Sequence, residues 1–240
     1  MKFENTDVFN FENAIRGMRN PLESWDKSDS GYGCYDGALS FCKGCESKKN
    51  KHCKCKGFFI GKNDLELAKK LIKAGSEHRK FMRQIMVSVD ITAPLYWWKE
   101  FDTYKIGTVA NSTSTMHKLA STPITLDNFE MGDYCEIDLA DMYDFSFGYD
   151  YLLKLKWQNL IDVMEYLRQK FNETKDKRYW KELIRLLPTS YLQTRTVTMN
   201  YENLLNMYHQ RKNHKLTEWS VDFMNWVKTL PYSQELLGVE

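Results

Sequence analysis

Two periodic patterns of apolar residues run through the chain, and together they predict an α/β protein. Apolar and polar residues alternate over 82–91 and again over 191–199, so both segments are predicted to be strands. Apolar residues at helical spacing over 63–74, 151–171 and 219–227 predict helices with one buried face, and 179–187 is predicted to be a helix that Pro188 ends. The length suits one sizeable core, so residues 1–240 are expected to form a single domain.

Polar residues at the ends of these segments predict where two of the helices begin. Asn63 or Asp64 is expected to cap the helix over 63–74, and Gly75 is expected to end it. After the strand over 191–199, Asn200 is the predicted N-cap of a further helix, with Asn203 in the second position of a capping box. This last helix has one apolar side, formed by Leu204, Leu205, Met207 and Tyr208.

Charge and hydropathy narrow the classes of partner. The chain has 34 basic and 32 acidic side chains, a net charge of +2, so no overall field favours binding to nucleic acid or to a membrane surface. There is no apolar run of about 18 residues, and residues 1–10 are polar. We therefore expect a cytoplasmic protein that neither spans a membrane nor binds nucleic acid.

A block rich in cysteine and lysine, residues 34–57, interrupts the α/β pattern and is interpreted as an insertion. One pair of its cysteines has the two-residue spacer of metal ligands, and a closer pair follows; the four are Cys42, Cys45, Cys53 and Cys55. Four converging thiolates would form a structural zinc site. The alternative is a flexible basic insertion whose thiols are free, since disulfides are disfavoured in a cytosolic chain.

The order of residues over 187–219 resembles the C-terminal signature of the flavin-dependent thymidylate synthases. The matching residues are Leu187, Pro188, Tyr191, Thr198, Asn200, Leu204, Asn206, Arg211 and Glu218. The side chains suit a planar, charged ligand, because an Asn amide both donates and accepts, and the Arg guanidinium offers a planar fork. Without the rest of the segment, Asn200 would be interpreted only as a cap and Arg211 as a solvated residue.

The resemblance implies a mixed sheet flanked by helices, of the α/β (α+β) class, assembled as a homotetramer with active sites between subunits. It implies binding of FAD and of the pyrimidine deoxynucleotide dUMP. It also implies methylenetetrahydrofolate and NADPH as co-substrates, with dTMP as product. The reduced flavin carries the chemistry in that family, so no protein nucleophile is required.

The resemblance also implies roles for individual residues. Its cofactor-binding positions correspond to His78, Asn200, Asn206 and either Ser30 or Ser28. Its substrate-binding positions correspond to Arg185, Arg211 and Glu100, and Arg211 is expected to act in catalysis as well. For the serines the alternative is a solvated turn, and for His78 it is a surface position near the end of a helix.

The chain departs from the family at its hallmark, which is Arg-His-Arg followed by Asn-Glu-x-Ser-x-Arg. In an ungapped register Lys105 is the one charged residue of the first triplet, Asn111 replaces the Glu and Thr113 replaces the Ser. With one inserted residue, Asn111 and Ser114 match the Asn and the Ser instead. Lys105 and Thr113 are therefore predicted to be catalytic, and Asn111 and Ser114 to bind substrate, with the register left open.

A second departure lies two residues after Asn200, where the family has an Arg and this chain has Glu202. A carboxylate there would repel a flavin phosphate unless it points away. Two hypotheses follow from these residues. The first is a divergent enzyme that performs reductive methylation of dUMP or a related one-carbon transfer to position 5 of a pyrimidine nucleotide. The second is a non-catalytic nucleotide-binding or structural protein with the same fold.

Overall fold

A computed structural model of the chain describes residues 1–34, 56–132 and 149–239, with side chains described over 1–32, 57–132 and 155–239. The predicted zinc ligands Cys42, Cys45, Cys53 and Cys55 lie outside the described residues. The zinc site therefore stays a prediction.

The described chain contains both strands and helices, and its last third is mostly helical. The strands are β1 (Lys2–Phe9), β2 (Gly31–Cys34), β3 (Lys56–Phe59), β4 (Met86–Pro94), β5 (Val109–Ser112) and β6 (Leu192–Asn200). The helices are α1 (Phe11–Gly17), α2 (Lys62–Ala74), α3 (Leu95–Phe101), α4 (Thr115–Lys118), α5 (Tyr149–Thr174), α6 (Lys177–Leu186), α7 (Tyr201–Arg211), α8 (Met224–Lys228) and α9 (Ser233–Leu237). A π-helical turn, Glu218–Phe223, leads directly into α8. No helix in these ranges combines the length and the apolar character needed to span a bilayer.

Four strands form one sheet in the order β1-β4-β6-β5, and β2 pairs with β3 in an antiparallel hairpin. The chain divides into two compact units. The first unit is Met1–Lys2, Asp90–Thr103 and Ala110–Thr196; the second unit is Phe3–Val89, Tyr104–Val109 and Val197–Glu240. The single-domain prediction is not tested by this division and stays a prediction.

The alternation that predicted strand β4 is present in the structure. Val87, Val89 and Ile91 are buried, whereas the residues between them are only partly buried. The strand begins at Met86 rather than at residue 82, because Lys80–Arg83 forms a 3-10 turn. That turn buries Phe81 and Met82. Because these apolar residues directly precede the strand, the sequence pattern predicted a strand that begins too early.

The predicted cap of α2 is wrong. The helix begins at Lys62 after Gly61, and neither Asn63 nor Asp64 caps it. The carboxylate of Asp29 accepts hydrogen bonds from the backbone N–H groups of Asn63 (2.9 Å) and Asp64 (3.1 Å). Because Asp29 satisfies these first-turn amides from outside the helix, no helical side chain is needed as a cap. Gly75, at φ +108°, ends the helix as predicted.

The core of the first unit lies between α5, α6 and residues 119–129. Its buried residues are Leu119, Ala120, Ile124, Phe129, Ile161, Met164 and Leu183. Glu165 on α5 accepts two hydrogen bonds from Arg168, at 2.7 and 2.6 Å, and one from the backbone N–H of Ile124 at 3.0 Å. These bonds, chiefly those from Arg168, outweigh partial burial and lower the pKa of Glu165 to about 2.

The core of the second unit is aromatic and centres on the π-helical turn. Trp219 and Phe223 are fully buried, with ring centroids 5.0 Å apart, and Phe3 stacks on Trp226 at 4.8 Å. Tyr201, the first residue of α7, donates its hydroxyl to the carbonyl of Pro231 at 2.7 Å. The apolar stripe predicted over 219–227 is therefore confirmed as a core face.

Candidate functional site

The site is built on α7, and its start has the predicted geometry. The side chain of Asn200 accepts from the backbone N–H of Asn203 at 2.9 Å, and the side chain of Asn203 accepts from the backbone N–H of Asn200 at 3.2 Å. This reciprocal pair is a capping box with two asparagines. The Asn200 side-chain oxygen is therefore engaged by the helix.

A loop of the second unit lies against this capped end. The Asn203 amide nitrogen donates to the carbonyl of Ile106 at 2.8 Å. The next residue, Gly107, has φ +79°, and a Cβ there would lie 2.8 Å from side-chain atoms of Asn200 and Asn203. Only glycine avoids both the close contact and the left-handed strain, so the capping box also positions residues 104–107.

At the other end of α7, Arg211 lies against two aromatic rings of the second unit. Its Nε donates to the hydroxyl of Tyr104 at 2.8 Å, and its guanidinium carbon is 5.5 Å from the Tyr104 ring centroid and 4.9 Å from that of Trp219. Tyr104 in turn donates to Gln210 at 3.0 Å. Arg211 is partly buried, and its guanidinium orientation is fixed by cation–π contact and a hydrogen bond. It is not a solvated side chain.

Two of the predicted cofactor-binding residues offer polar groups at the surface of the second unit. Asn206 is exposed, and its oxygen accepts from Arg79 at 3.4 Å. His78 is also exposed, and its backbone N–H donates to the carbonyl of Gly75 at the end of α2. Lys105 is exposed on the 104–107 loop. These three side chains and Arg211 therefore belong to the same unit.

Glu202, one turn before Asn206, is nearly buried and bound by two arginines. Arg79 donates its Nε to one carboxylate oxygen at 3.1 Å, and Arg83 donates its Nε to the other. Burial alone would raise the pKa of Glu202, but the hydrogen bonds from Arg83 and Arg79 outweigh it and hold the pKa below its ordinary value. The carboxylate is thus ionised and neutralised by the protein. No pattern in the sequence predicted this cluster, because Arg83 and Arg79 lie 119 and 123 positions from Glu202.

Ser30 has a structural partner. Its hydroxyl donates to Asp64 at 2.5 Å and accepts from the backbone N–H of Gly61 at 2.9 Å. Ser28 also donates to Asp64, at 2.7 Å. Both predicted serines therefore hold the start of α2, and their role in cofactor binding stays a prediction.

In the first unit, β6 carries Arg195, a residue to which the resemblance assigns no role. The Arg195 guanidinium carbon lies 4.2 Å from the Trp98 ring centroid, and Arg195 donates to Asp102 at 2.7 Å and to Gln193 at 3.0 Å. Gln193 then donates to the backbone carbonyl of Thr113 at 2.8 Å. These contacts join α3, β6 and the segment after β5.

The remaining predicted site residues also lie in the first unit. Asn111 and Thr113 are exposed, on and just after β5, and Glu100 is partly buried on α3. Ser114 caps α4 by accepting from the backbone N–H of His117 at 3.1 Å. Arg185 is exposed on α6 and forms an ion pair with Glu182. The structure leaves both hallmark registers open. Within the described residues no group of His, Cys, Asp and Glu has the arrangement of a metal site.

Comparison with known proteins gives structural matches but no sequence matches. No family model and no curated protein matches the chain. The flavin-dependent thymidylate synthase ThyX from Helicobacter pylori, in complex with FAD and dUMP, aligns at a TM-score of 0.61 with 16% identity, over 99% of this chain and 97% of that chain. A second structure of ThyX from Helicobacter pylori with FAD and dUMP aligns at a TM-score of 0.62 with 15% identity and the same coverage. The chain therefore has the fold of the flavin-dependent thymidylate synthases.

Proposed function

We propose that the protein is a divergent enzyme of the flavin-dependent thymidylate synthase type. It would bind FAD and dUMP and perform the reductive methylation of dUMP to dTMP, or a related one-carbon transfer to position 5 of a pyrimidine nucleotide. The observation that carries the proposal is the fixed guanidinium of Arg211, at the place in α7 where the signature has its Arg. The shared fold with ThyX supports it.

The groups on the second unit fit a planar, anionic cofactor. His78 and Asn206 present polar groups at the surface. The guanidinium of Arg79 lies beside Asn206 and Glu202, and that of Arg83 lies beside Glu202. We propose that His78 and Asn206 contact the flavin, with Asn200 contributing through the capped start of α7. FAD would supply the hydride chemistry, with NADPH and methylenetetrahydrofolate as co-substrates.

Arg211 is the residue that we propose for the pyrimidine. Its contacts with Tyr104 and Trp219 set the plane of the guanidinium before a ligand arrives. A fixed donor next to a ring carbonyl stabilises the negative charge that spreads when position 5 becomes nucleophilic. We also propose the roles that the resemblance implies for six further residues. Two would act in catalysis, Lys105 and Thr113, and four would bind substrate: Glu100, Asn111, Ser114 and Arg185. To bind substrate, Arg185 would have to break or share its ion pair with Glu182, and Ser114 its capping hydrogen bond.

The second candidate function is a non-catalytic nucleotide-binding or structural protein with this fold. The observation that favours it is the replacement of the hallmark arginines, which leaves Lys105 as the one cation of the first triplet. An ammonium group does not reproduce the bidentate or stacked contacts of a guanidinium. Such a protein would bind nucleotide without turnover.

Flavin retention separates the two candidates at the first step. The purified protein is expected to be yellow, with the visible absorption band of an oxidised flavin, and heat denaturation should release FAD. His78→Ala should lower the flavin content without changing the melting temperature of the apoprotein, because His78 is exposed. Colourless protein that also fails to take up added FAD would refute the enzyme proposal.

Two further proposals rest on the sequence. We propose a homotetramer, as the resemblance implies, and a structural zinc ion on the four cysteines of the insertion. Light scattering that gave the mass of a single chain would refute the first. Absence of zinc in protein purified without chelator would refute the second and leave the flexible basic insertion.

A further inference from the structure

We propose that Arg79 and Arg83, held on the buried carboxylate of Glu202, form a binding site for the phosphate groups of a nucleotide. This inference rests on the proposed function for the class of ligand, but its geometry does not depend on turnover. It assigns to the 79–83 segment the positive charge that the family signature places on α7, where this chain has Glu202.

The hydrogen bonds to Glu202 use only one nitrogen from each arginine. Both contacts are made by Nε, and within the described residues no terminal nitrogen of either arginine is hydrogen-bonded to the carboxylate. Within the described part of the chain, the one side-chain contact of these terminal nitrogens is from Arg79 to the Asn206 oxygen at 3.4 Å. Two guanidinium groups thus share one anion and keep donors for another, which is the geometry that phosphate oxygens match.

The local charges favour an anion. Two guanidinium groups and one carboxylate leave this cluster with a net charge of +1. The other charged groups on the same segment are Glu77 and Lys80, which are exposed and pair with each other at 3.7 Å. Glu77 also acts electrostatically on Arg83, but its side chain is 80% exposed and is screened by water. The positive charge of the cluster is therefore only partly offset.

Burial gives each member a distinct part in this site. The Glu202 side chain is 11% exposed and Arg79 is 19% exposed, whereas Arg83 is 48% exposed. Glu202 and Arg79 therefore form the fixed, buried part of the site, and Arg83 is the exposed residue that a phosphate contacts first. Arg79 also contacts Asn206, so the phosphate site adjoins a side-chain amide that is proposed to contact the cofactor.

Direct anion binding tests the site without any enzymatic assay. Inorganic pyrophosphate is titrated into the full-length protein by isothermal calorimetry at low salt. Arg83→Gln is expected to weaken pyrophosphate binding about tenfold or more, the loss expected for one charge-assisted contact. Lys80→Gln is the matched control, because it removes the same charge from the same turn and should change the affinity less than threefold. Equal affinities for the Arg83→Gln variant and the parent would overturn the proposal.

Glu202→Gln gives a test in which the sign of the effect is diagnostic. The change raises the net charge of the cluster from +1 to +2, so pyrophosphate affinity is expected to rise, although the melting temperature should fall because two charge-assisted hydrogen bonds are weakened. A cluster that only holds the fold together would show lower affinity or none. Arg83→Lys keeps the charge but loses the fork, so its affinity should fall between those of the parent and Arg83→Gln.

The source of the phosphate is resolved by pairs of ligands. FAD is compared with riboflavin, and dUMP with deoxyuridine, for the parent and for Arg83→Gln. For each pair, the measured quantity is the affinity for the phosphorylated ligand divided by the affinity for the ligand without phosphate. The pair for which this ratio falls in Arg83→Gln identifies the phosphate that the site binds. Failure to bind any flavin or pyrimidine would refute the proposed function, while pyrophosphate binding that depends on Arg83 would still support the anion site. Ratios unchanged in both pairs would show that neither phosphate is bound there.

Discussion

Arg211→Ala is expected to lower kcat/KM for dUMP by an amount equivalent to about 2–4 kcal/mol of transition-state stabilisation, the range for loss of one preorganised donor. The expected loss is large because Tyr104 and Trp219 already orient the guanidinium, so binding requires little further ordering. Charge at the pyrimidine carbonyl grows toward the transition state, so kcat should fall as well as affinity. Steady-state kinetics with saturating FAD measure both.

Two further variants separate this role from a structural one. Arg211→Lys should restore little activity, because an ammonium reproduces neither the fork nor the stacking between rings. Lys212→Ala, the exposed neighbour, should leave kcat/KM unchanged. In Arg211→Ala, loss of the cation–π contact with buried Trp219 should lower the free energy of unfolding by about 1–2 kcal/mol, which thermal melting detects. Binding of dUMP to Arg211→Ala as tightly as to the parent would show that the pyrimidine assignment is wrong.

Asp64→Ala is expected to have the largest effect on stability, lowering the free energy of unfolding by about 3–5 kcal/mol. The Asp64 side chain is completely buried and accepts from Arg19 at 2.5 Å. It also accepts from the hydroxyls of Ser28 and Ser30. Removing it leaves the buried guanidinium of Arg19, which is 5% exposed, without its counterion. Urea denaturation measures the change.

A neighbouring aspartate provides the control for this experiment. Asp26 is exposed in the same loop, so Asp26→Ala should change the free energy of unfolding by less than about 0.5 kcal/mol. Equal stabilities of the Asp64→Ala variant and the parent would mean that Arg19 finds another partner or is hydrated. The network would then not determine how α2 is anchored.

Acid sensitivity should follow from the same residue. Burial raises the pKa of Asp64, but hydrogen bonds from Ser30, Ser28 and Arg19 outweigh it and lower the pKa below its ordinary value of 3.8. Because the folded pKa is the lower one, the stabilisation is fully present above the ordinary value and is lost as the pH falls toward the folded value. Asp64→Asn should therefore show a shallower loss of stability below pH 4 than the parent.

Local signals predicted the parts of the fold that depend on neighbours in sequence. The alternation in β4 and β6 and the Asn200–Asn203 capping box are confirmed, because each involves residues within a few positions of one another. The cap of α2 was wrong because Asp29 comes from 34 positions away to bind Asn63. Strand β1 was not predicted, since an outer strand with mostly exposed residues has no apolar alternation to detect.

The site was predictable only in part, for the same reason. The resemblance over 187–219 pointed to Arg211 and Asn206, and the structural matches to ThyX support the fold that it implied. The partners that define their environment come from distant positions. Tyr104 is 107 residues from Arg211, and Arg79 is 127 residues from Asn206. No periodicity or spacing within one segment carries that information.

Release of tritium from dUMP labelled at position 5 reports directly on whether the protein transfers a one-carbon group to that position. Any one-carbon transfer to that position must displace its hydrogen, whatever the final product. With FAD, NADPH and methylenetetrahydrofolate present, we expect the parent protein to release tritium into water. The release should depend on FAD and fall sharply in the Arg211→Ala variant. Protein with FAD and dUMP bound that releases no tritium above the level of Arg211→Ala would contradict the enzyme proposal and favour a nucleotide-binding protein without turnover.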